Sequence, residues 1–181
     1  MSTTVTAFTV PSRESVSETN QGLFDQLKKG LGMVPNLYAT LAHSETALGD
    51  YLALQNSKSS LTAKQREVIS LVVSQVNECQ YCLAAHTVLG KMKGFTDDQV
   101  IELRRGQASF DSQLDTLATF VKSAAVNRGK VSDIERFELF EAGFTQENVV
   151  DIVFTICDKI ITNYLHIITE VPVDFPAAPA I

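Results

Sequence analysis

Apolar residues recur at three- and four-residue intervals along most of the chain, and the intervals break at Ser, Thr, Asn, Gly and Pro. That periodicity predicts an all-α protein. In the stretch 17–30, "SETNQGLFDQLKKG", Leu23, Phe24 and Leu27 share a helical face with the following Leu31. Pro35 in "VPNLYATLAH" suits a helix start, and residues 44–58 continue helically with Ala47, Leu48, Tyr51, Leu52 and Leu54 apolar. Thr62 with Gln65 forms a capping-box pattern ahead of "AKQREVISLVVSQVN". Val68, Ile69, Leu71, Val72, Val73 and Val76 cover most sides of that segment, which predicts a buried helix ending near Asn77. A helix over 79–93 is stopped by Gly94, and Thr96 with Gln99 caps the next. Residues 111–128, closed by Gly129, make a further helix, and Ser132 with Glu135 opens a short one closed by Gly143. From Thr145 an apolar run of more than twenty residues has no turn signal; it is rich in β-branched residues, but its length favours a helix over a strand. The tail "EVPVDFPAAPAI" carries three prolines and reads as extended, over the surface or over a neighbouring subunit.

The length of 181 residues fits a single helical domain. Within it we expect an N-terminal helical extension (about 1–60), a catalytic core (about 61–170) and the tail (171–181). Net charge is −6, and Lys and Arg are scattered apart from the pairs Lys28–Lys29 and Arg104–Arg105. No basic stripe is left to hold nucleic acid. No eighteen consecutive residues are apolar, which predicts no membrane span. The opening "MSTTVTAFTVPSRES" lacks the basic start and apolar stretch of a signal peptide, so the expectation is a cytoplasmic protein. The amphipathic N-terminal helices, the apolar last helix and the tail offer more apolar surface than a small domain hides, which predicts a homo-oligomer.

The candidate chemistry lies in "NECQYCLAAH", residues 77–86. The chain has three cysteines, an odd number that argues against a disulfide scaffold in a reducing compartment. With a helix starting near Cys79, the residues Cys79, Cys82 and His86 are spaced i, i+3 and i+7 and share one face. Two thiols at that spacing can close a disulfide with little backbone movement. Backbone N–H groups at a helix start favour a thiolate, and His86, one turn from Cys82, could take its proton. A third group should orient that base, and Glu67 is the best placed, one helix upstream; Glu78 competes but sits at the turn. Three other readings stand beside redox chemistry. The set could bind zinc with Glu67 as fourth ligand, although the usual second pair of ligands is missing. It could be inert packing. Glu67 could be a surface carboxylate paired with Arg66 or Lys64. No β-α-β alternation surrounds the cysteines, which disfavours a thioredoxin fold. Tyr81 reads as packing or a pocket wall, Cys157 as a small buried hydrophobe, and His43 and His166 as helix-end residues. Asp158 and Asn163 could pair across a subunit interface.

The pattern Glu67-x11-Cys79-x2-Cys82-x3-His86, with Asn77, Tyr81 and Ala85, resembles the signature of the AhpD-like alkylhydroperoxidases of the carboxymuconolactone decarboxylase superfamily. The likeness is strongest over 62–95 and extends more weakly to the last helix and the "VPVDFP" tail of peroxidase-related members. It implies an all-helical trimer or hexamer and a thiol peroxidase without a cofactor or metal. Cys82 would be the peroxidatic cysteine, Cys79 the resolving one, and Glu67 with His86 a proton relay. The substrate would be a peroxide and the reductant an external dithiol. Tyr81 stands where the better-known members often carry a histidine. Decarboxylase-like or lactone chemistry through Glu67 and His86 is the alternative within the superfamily, and a non-enzymatic redox- or metal-responsive protein the alternative outside it.

Overall fold

The computed structural model describes residues 7–181. The first six residues, part of the expected extension and of the stretch read for a signal peptide, lie outside them. Among the described residues all regular structure is helical, a 3-10 turn at Arg13–Ser15 and nine α-helices, with no strand. The helices gather into two compact units. One comprises the described residues up to Ser57 with Leu165–Asp174; the other comprises Lys58–Tyr164 with Phe175–Ile181.

The first unit holds α1 (Glu18–Leu31), α2 (Asn36–Leu41) and α3 (Ala47–Gln55). Ser17 caps α1 by accepting from the Asn20 amide, and Phe24, Leu27, Leu48 and Tyr51 fill the core. Leu31, expected on the buried face, is 58% exposed. It is the last residue of α1, and Gly32, at φ +79°, turns the chain away before that face finds a partner. α3 is shorter than the expected 44–58, because Ser44 stays outside the helix and accepts from the Ala47 amide. Asp174 accepts from the Asn36 amide at 2.7 Å, and Asn36 in turn donates to the Pro172 carbonyl, so this part of the tail packs on its own chain.

The second unit is built around α4 (Ala63–Val76), which packs against α5 (Gln80–Met92), α6 (Asp97–Arg104) and α7 (Ser112–Val126). α8 (Asp133–Glu141) and the larger part of α9 (Gln146–Thr169) complete it. Capping boxes form at Thr62/Gln65, Thr96/Gln99 and Ser132/Glu135, as the sequence spacing predicts. Val68, Ile69, Leu71, Val72 and Val73 of α4 are fully buried. Each such side chain contributes roughly 1.5–3 kcal/mol by leaving water, so α4 is the main hydrophobic anchor of the unit.

The turn from α4 to α5 is very short. Cys79 donates its amide to the Ser74 carbonyl and Glu78 donates to Gln75, the two bonds of a Schellman motif, with Glu78 in the left-handed region at φ +55°. Cys79 is at once the residue that closes α4 and the N-cap of α5. The two helices approach closely at Gly90. A Cβ there would meet Val100 Cγ2 at 3.4 Å, Leu71 Cδ1 at 3.6 Å and Glu67 Cγ at 3.8 Å.

α9 departs from two expectations. Among the described residues it is the one helix long and apolar enough to cross a membrane on length and composition, although polar residues interrupt its apolar run. Those polar residues have partners in the unit: Asp151 accepts from Ser60, Lys159 pairs with Asp158, and Asn163 bonds Asn77. Cys157, expected to be buried, is exposed and lies in an outward stripe with Val150, Val153, Phe154, Ile161 and Tyr164.

Replacing Gly90 with Val should lower stability by about 1–3 kcal/mol, the usual cost of overpacking, while Gly90→Ala should stay within about 1 kcal/mol. Urea denaturation checks both.

Candidate active site

Four side chains predicted from sequence come together in the second unit. Cys79, at the N-cap of α5, is fully buried, and its sulfur accepts from the Cys82 amide at 3.4 Å. Cys82 and His86 follow on the inner face of α5, and Glu67 reaches them from the second turn of α4. Glu67 Oε1 lies 2.6 Å from His86 Nδ1, with both side chains nearly out of solvent. Glu67 is thus no surface carboxylate. Of its proposed surface partners, Lys64 instead lies over the Phe95 ring. Glu78, the competitor, is exposed. Tyr81 is buried and meets the Phe175 ring edge to face, centroids 5.6 Å apart, so it forms a wall beside the cysteines.

Sequence reasoning missed two members of the site, both on α9. Asn163, read as an interface residue, is fully buried. It bonds Asn77 and Ser74, and its amide also bonds the Cys82 sulfur. Lys159 is only 3% exposed, with Nζ 3.3 Å from His86 Nε2 and 3.1 Å from Asp158 Oδ2. A signal was present: an ammonium and an amide at i, i+4 in an otherwise apolar helix need internal partners. His86 therefore spends one ring nitrogen on Glu67 and the other on Lys159. When Lys159 carries its ammonium, it donates to Nε2, and Nδ1–H is donated to Glu67.

Two chemically identical thiols sit in unequal fields. The Cys82 thiol is lowered to about 6: the Cys79 thiol hydrogen-bonds its sulfur, and the positive charge shared along His86 and Lys159 and the Asn163 amide add to that, against burial. The Cys79 thiol is raised, first because it donates to Cys82, then by burial and by the neighbouring negative charge. The Cys82 and Tyr81 amides at the Cys79 sulfur work the other way, but these two backbone dipoles do not outweigh a cation, a side-chain amide and a thiol donor on Cys82. These fields favour the thiolate at Cys82 and the thiol at Cys79. Among the described residues, no group of three or more His, Cys, Asp or Glu side chains is arranged to hold a metal ion.

Residues 41–120, which include Glu67, Cys79, Cys82 and His86, match the carboxymuconolactone decarboxylase family. The matched segment is 80 of the 181 residues. Solved structures share the fold over nearly the whole chain. A peroxidase-related protein from Silicibacter sp. TM1040 is 24% identical, with 95% of this chain and 91% of that one covered and a TM-score of 0.80. An AhpD-core peroxidase-related protein from Ralstonia eutropha JMP134 is 20% identical, with 92% and 91% covered and a TM-score of 0.83. The debrominase Bmp8, as a cysteine-to-alanine variant in complex with 2,3,4-tribromopyrrole, is 14% identical, with 94% and 93% covered and a TM-score of 0.77. No curated protein sequence matches the chain.

Since the thiolate is the reactive form, alkylation of Cys82 by iodoacetamide should rise with pH through about 6 and level off above it. His86→Ala and Asn163→Ala should each move that midpoint upward, towards the ordinary thiol range. Peptide mapping across a pH series reads each cysteine separately; a wild-type Cys82 midpoint in the ordinary range would contradict the assignment.

Proposed function

We propose that the protein is a thiol-dependent peroxidase that reduces an alkyl hydroperoxide or hydrogen peroxide. The observation that carries this reading is the unequal cysteine pair at the start of α5, with the Cys82 thiol lowered and the Cys79 thiol beside it still protonated. The Cys82 thiolate attacks the terminal oxygen of the peroxide; the S–O bond forms, the O–O bond breaks, and Cys82 becomes a sulfenic acid. The Cys79 sulfur then displaces the hydroxyl as water, giving a Cys79–Cys82 disulfide. An external dithiol restores both thiols by exchange. Glu67 and His86 hold and move the proton, and Tyr81 walls the substrate side. The cycle needs neither a metal nor an organic cofactor.

The resemblance to Bmp8 favours a second reading, reductive dehalogenation. The same thiolate would attack a ring-bound bromine, the ring carbon would take a proton, and Cys79 would displace bromide as the disulfide forms. Peroxide consumption and bromide release tell the two readings apart.

The exposed stripe on α9 supports assembly into a trimer or hexamer. Sedimentation velocity at micromolar concentration should show a species larger than the monomer, and Phe154→Glu should shift it towards the monomer.

In single-turnover peroxide reduction, Cys82→Ser should abolish consumption, and Cys79→Ser should stop after one equivalent with a trappable sulfenic acid on Cys82. Glu67→Gln and His86→Ala should slow the attack by about 10²–10⁴-fold, the usual weight of proton transfer in such a step. Reaction in Cys82→Ser but not in Cys79→Ser would reverse the two roles.

A further inference from the structure

Lys159 is placed as more than half of an ion pair. An ammonium buried to 3% exposure needs compensation, and the adjacent Asp158 supplies a negative charge at 3.1 Å. A structural pair needs nothing else. Yet Nζ also lies 3.3 Å from His86 Nε2, and the opposite side of the same ring is bonded to Glu67 at 2.6 Å. Three helices, α4, α5 and α9, thus each contribute one member of a buried line Glu67–His86–Lys159. The lysine charge also acts on the Cys82 sulfur, where a peroxide would have to sit.

The proposed reaction needs an acid at that place. When a thiolate attacks a hydroperoxide, the departing group is an alkoxide, strongly basic and a poor leaving group unless it is protonated as the O–O bond breaks. The other neighbours of Cys82 are poorly suited to supply that proton. Asn163 is an amide and does not ionise. Cys79 needs its own proton for the water released in the second step. Both ring nitrogens of His86 are engaged, and the one away from Glu67 faces Nζ. A proton leaving the Glu67–His86 pair towards the cysteines therefore passes through Lys159.

We propose that Lys159 is the general acid of the peroxidatic step, donating a proton from Nζ to the departing oxygen. The assignment rests on the peroxidase reading and adds a catalytic residue to it. In the balanced step, Cys82–S⁻ and R–O–OH give Cys82–S–OH and RO⁻. The alkoxide takes one ammonium proton to leave as ROH, and the neutral amine is reprotonated through His86. Cys79–SH and Cys82–S–OH then give the disulfide and water. The sulfur pair loses two electrons and the peroxide gains them.

The test compares three reactions of Cys82 in wild type, Lys159→Met and Lys159→Arg: reduction of cumene hydroperoxide, reduction of peracetic acid, whose acetate leaves without a proton, and alkylation by iodoacetamide. In Lys159→Met, cumene hydroperoxide should slow by about 10²–10⁴-fold, and peracetic acid by no more than alkylation slows. Lys159→Arg keeps the charge but holds its proton, so alkylation should stay near wild type while cumene hydroperoxide remains slow. Equal slowing of all three reactions in Lys159→Met, or a wild-type cumene hydroperoxide rate in either variant, overturns the assignment. Wild type alone supplies an independent check, needing no variant to fold: its rates should depend only weakly on leaving-group basicity across a peroxide series, and a steep dependence overturns the proposal. If wild type alkylates but reduces no peroxide, the peroxidase reading falls and this assignment with it. If wild type turns over and both variants keep pace, the assignment of Lys159 alone falls.

Discussion

The bond between Glu67 and His86 is the constraint around which the site is organised. A carboxylate and an imidazole meet at 2.6 Å in the packed interior, on two different helices. Removing one partner of such a buried contact leaves the other without its hydrogen bond, at a cost of about 1–3 kcal/mol. The surrounding structure makes the meeting possible. α4 is fixed by its apolar faces, the Schellman turn returns the chain at once, and Gly90 lets the helices close to the distance a carboxylate can span.

The field around the cysteines follows from that arrangement. With Nδ1 committed to Glu67, the other ring nitrogen is turned towards α9, where it meets Lys159. Positive charge is thereby brought to the Cys82 side and not to Cys79, and two thiols separated by only three residues acquire opposite tendencies. Asn163 adds a neutral donor on the same side. It is held by Ser74 and Asn77, residues at the C-terminal end of α4, so the helix that carries the carboxylate also orients the amide.

Much of this was legible in the sequence because much of it is local. Capping boxes are three-residue patterns, glycine stops are single residues, and the relation of Cys79, Cys82 and His86 is the geometry of one helix. Glu67 could be placed because only one tight turn separates its helix from the cysteines. Lys159 and Asn163 could not be placed, since they arrive on α9 more than seventy residues later (His86 to Lys159 spans 73) and no local pattern couples them to Cys82. Polar residues in an apolar helix announce that something must receive them, but not what. Leu31 and Cys157 were misread for a related reason. Periodicity identifies the apolar side of a helix, whereas burial depends on whether another element comes to cover it.

Cys79 combines duties that are usually divided among separate residues. Its amide closes one helix, its sulfur caps the next, and its thiol holds a proton against Cys82. The choice of replacement at this position therefore decides what an experiment measures. Serine keeps an oxygen able to receive the amide of residue 82, so the helix end survives while the sulfur chemistry is lost. Alanine removes both, and N-cap losses of this sort cost about 0.5–2 kcal/mol, enough to fray the turn that presents Cys82. A weakened alanine variant would then report on the folding of a helix end as much as on the loss of the Cys79 thiol.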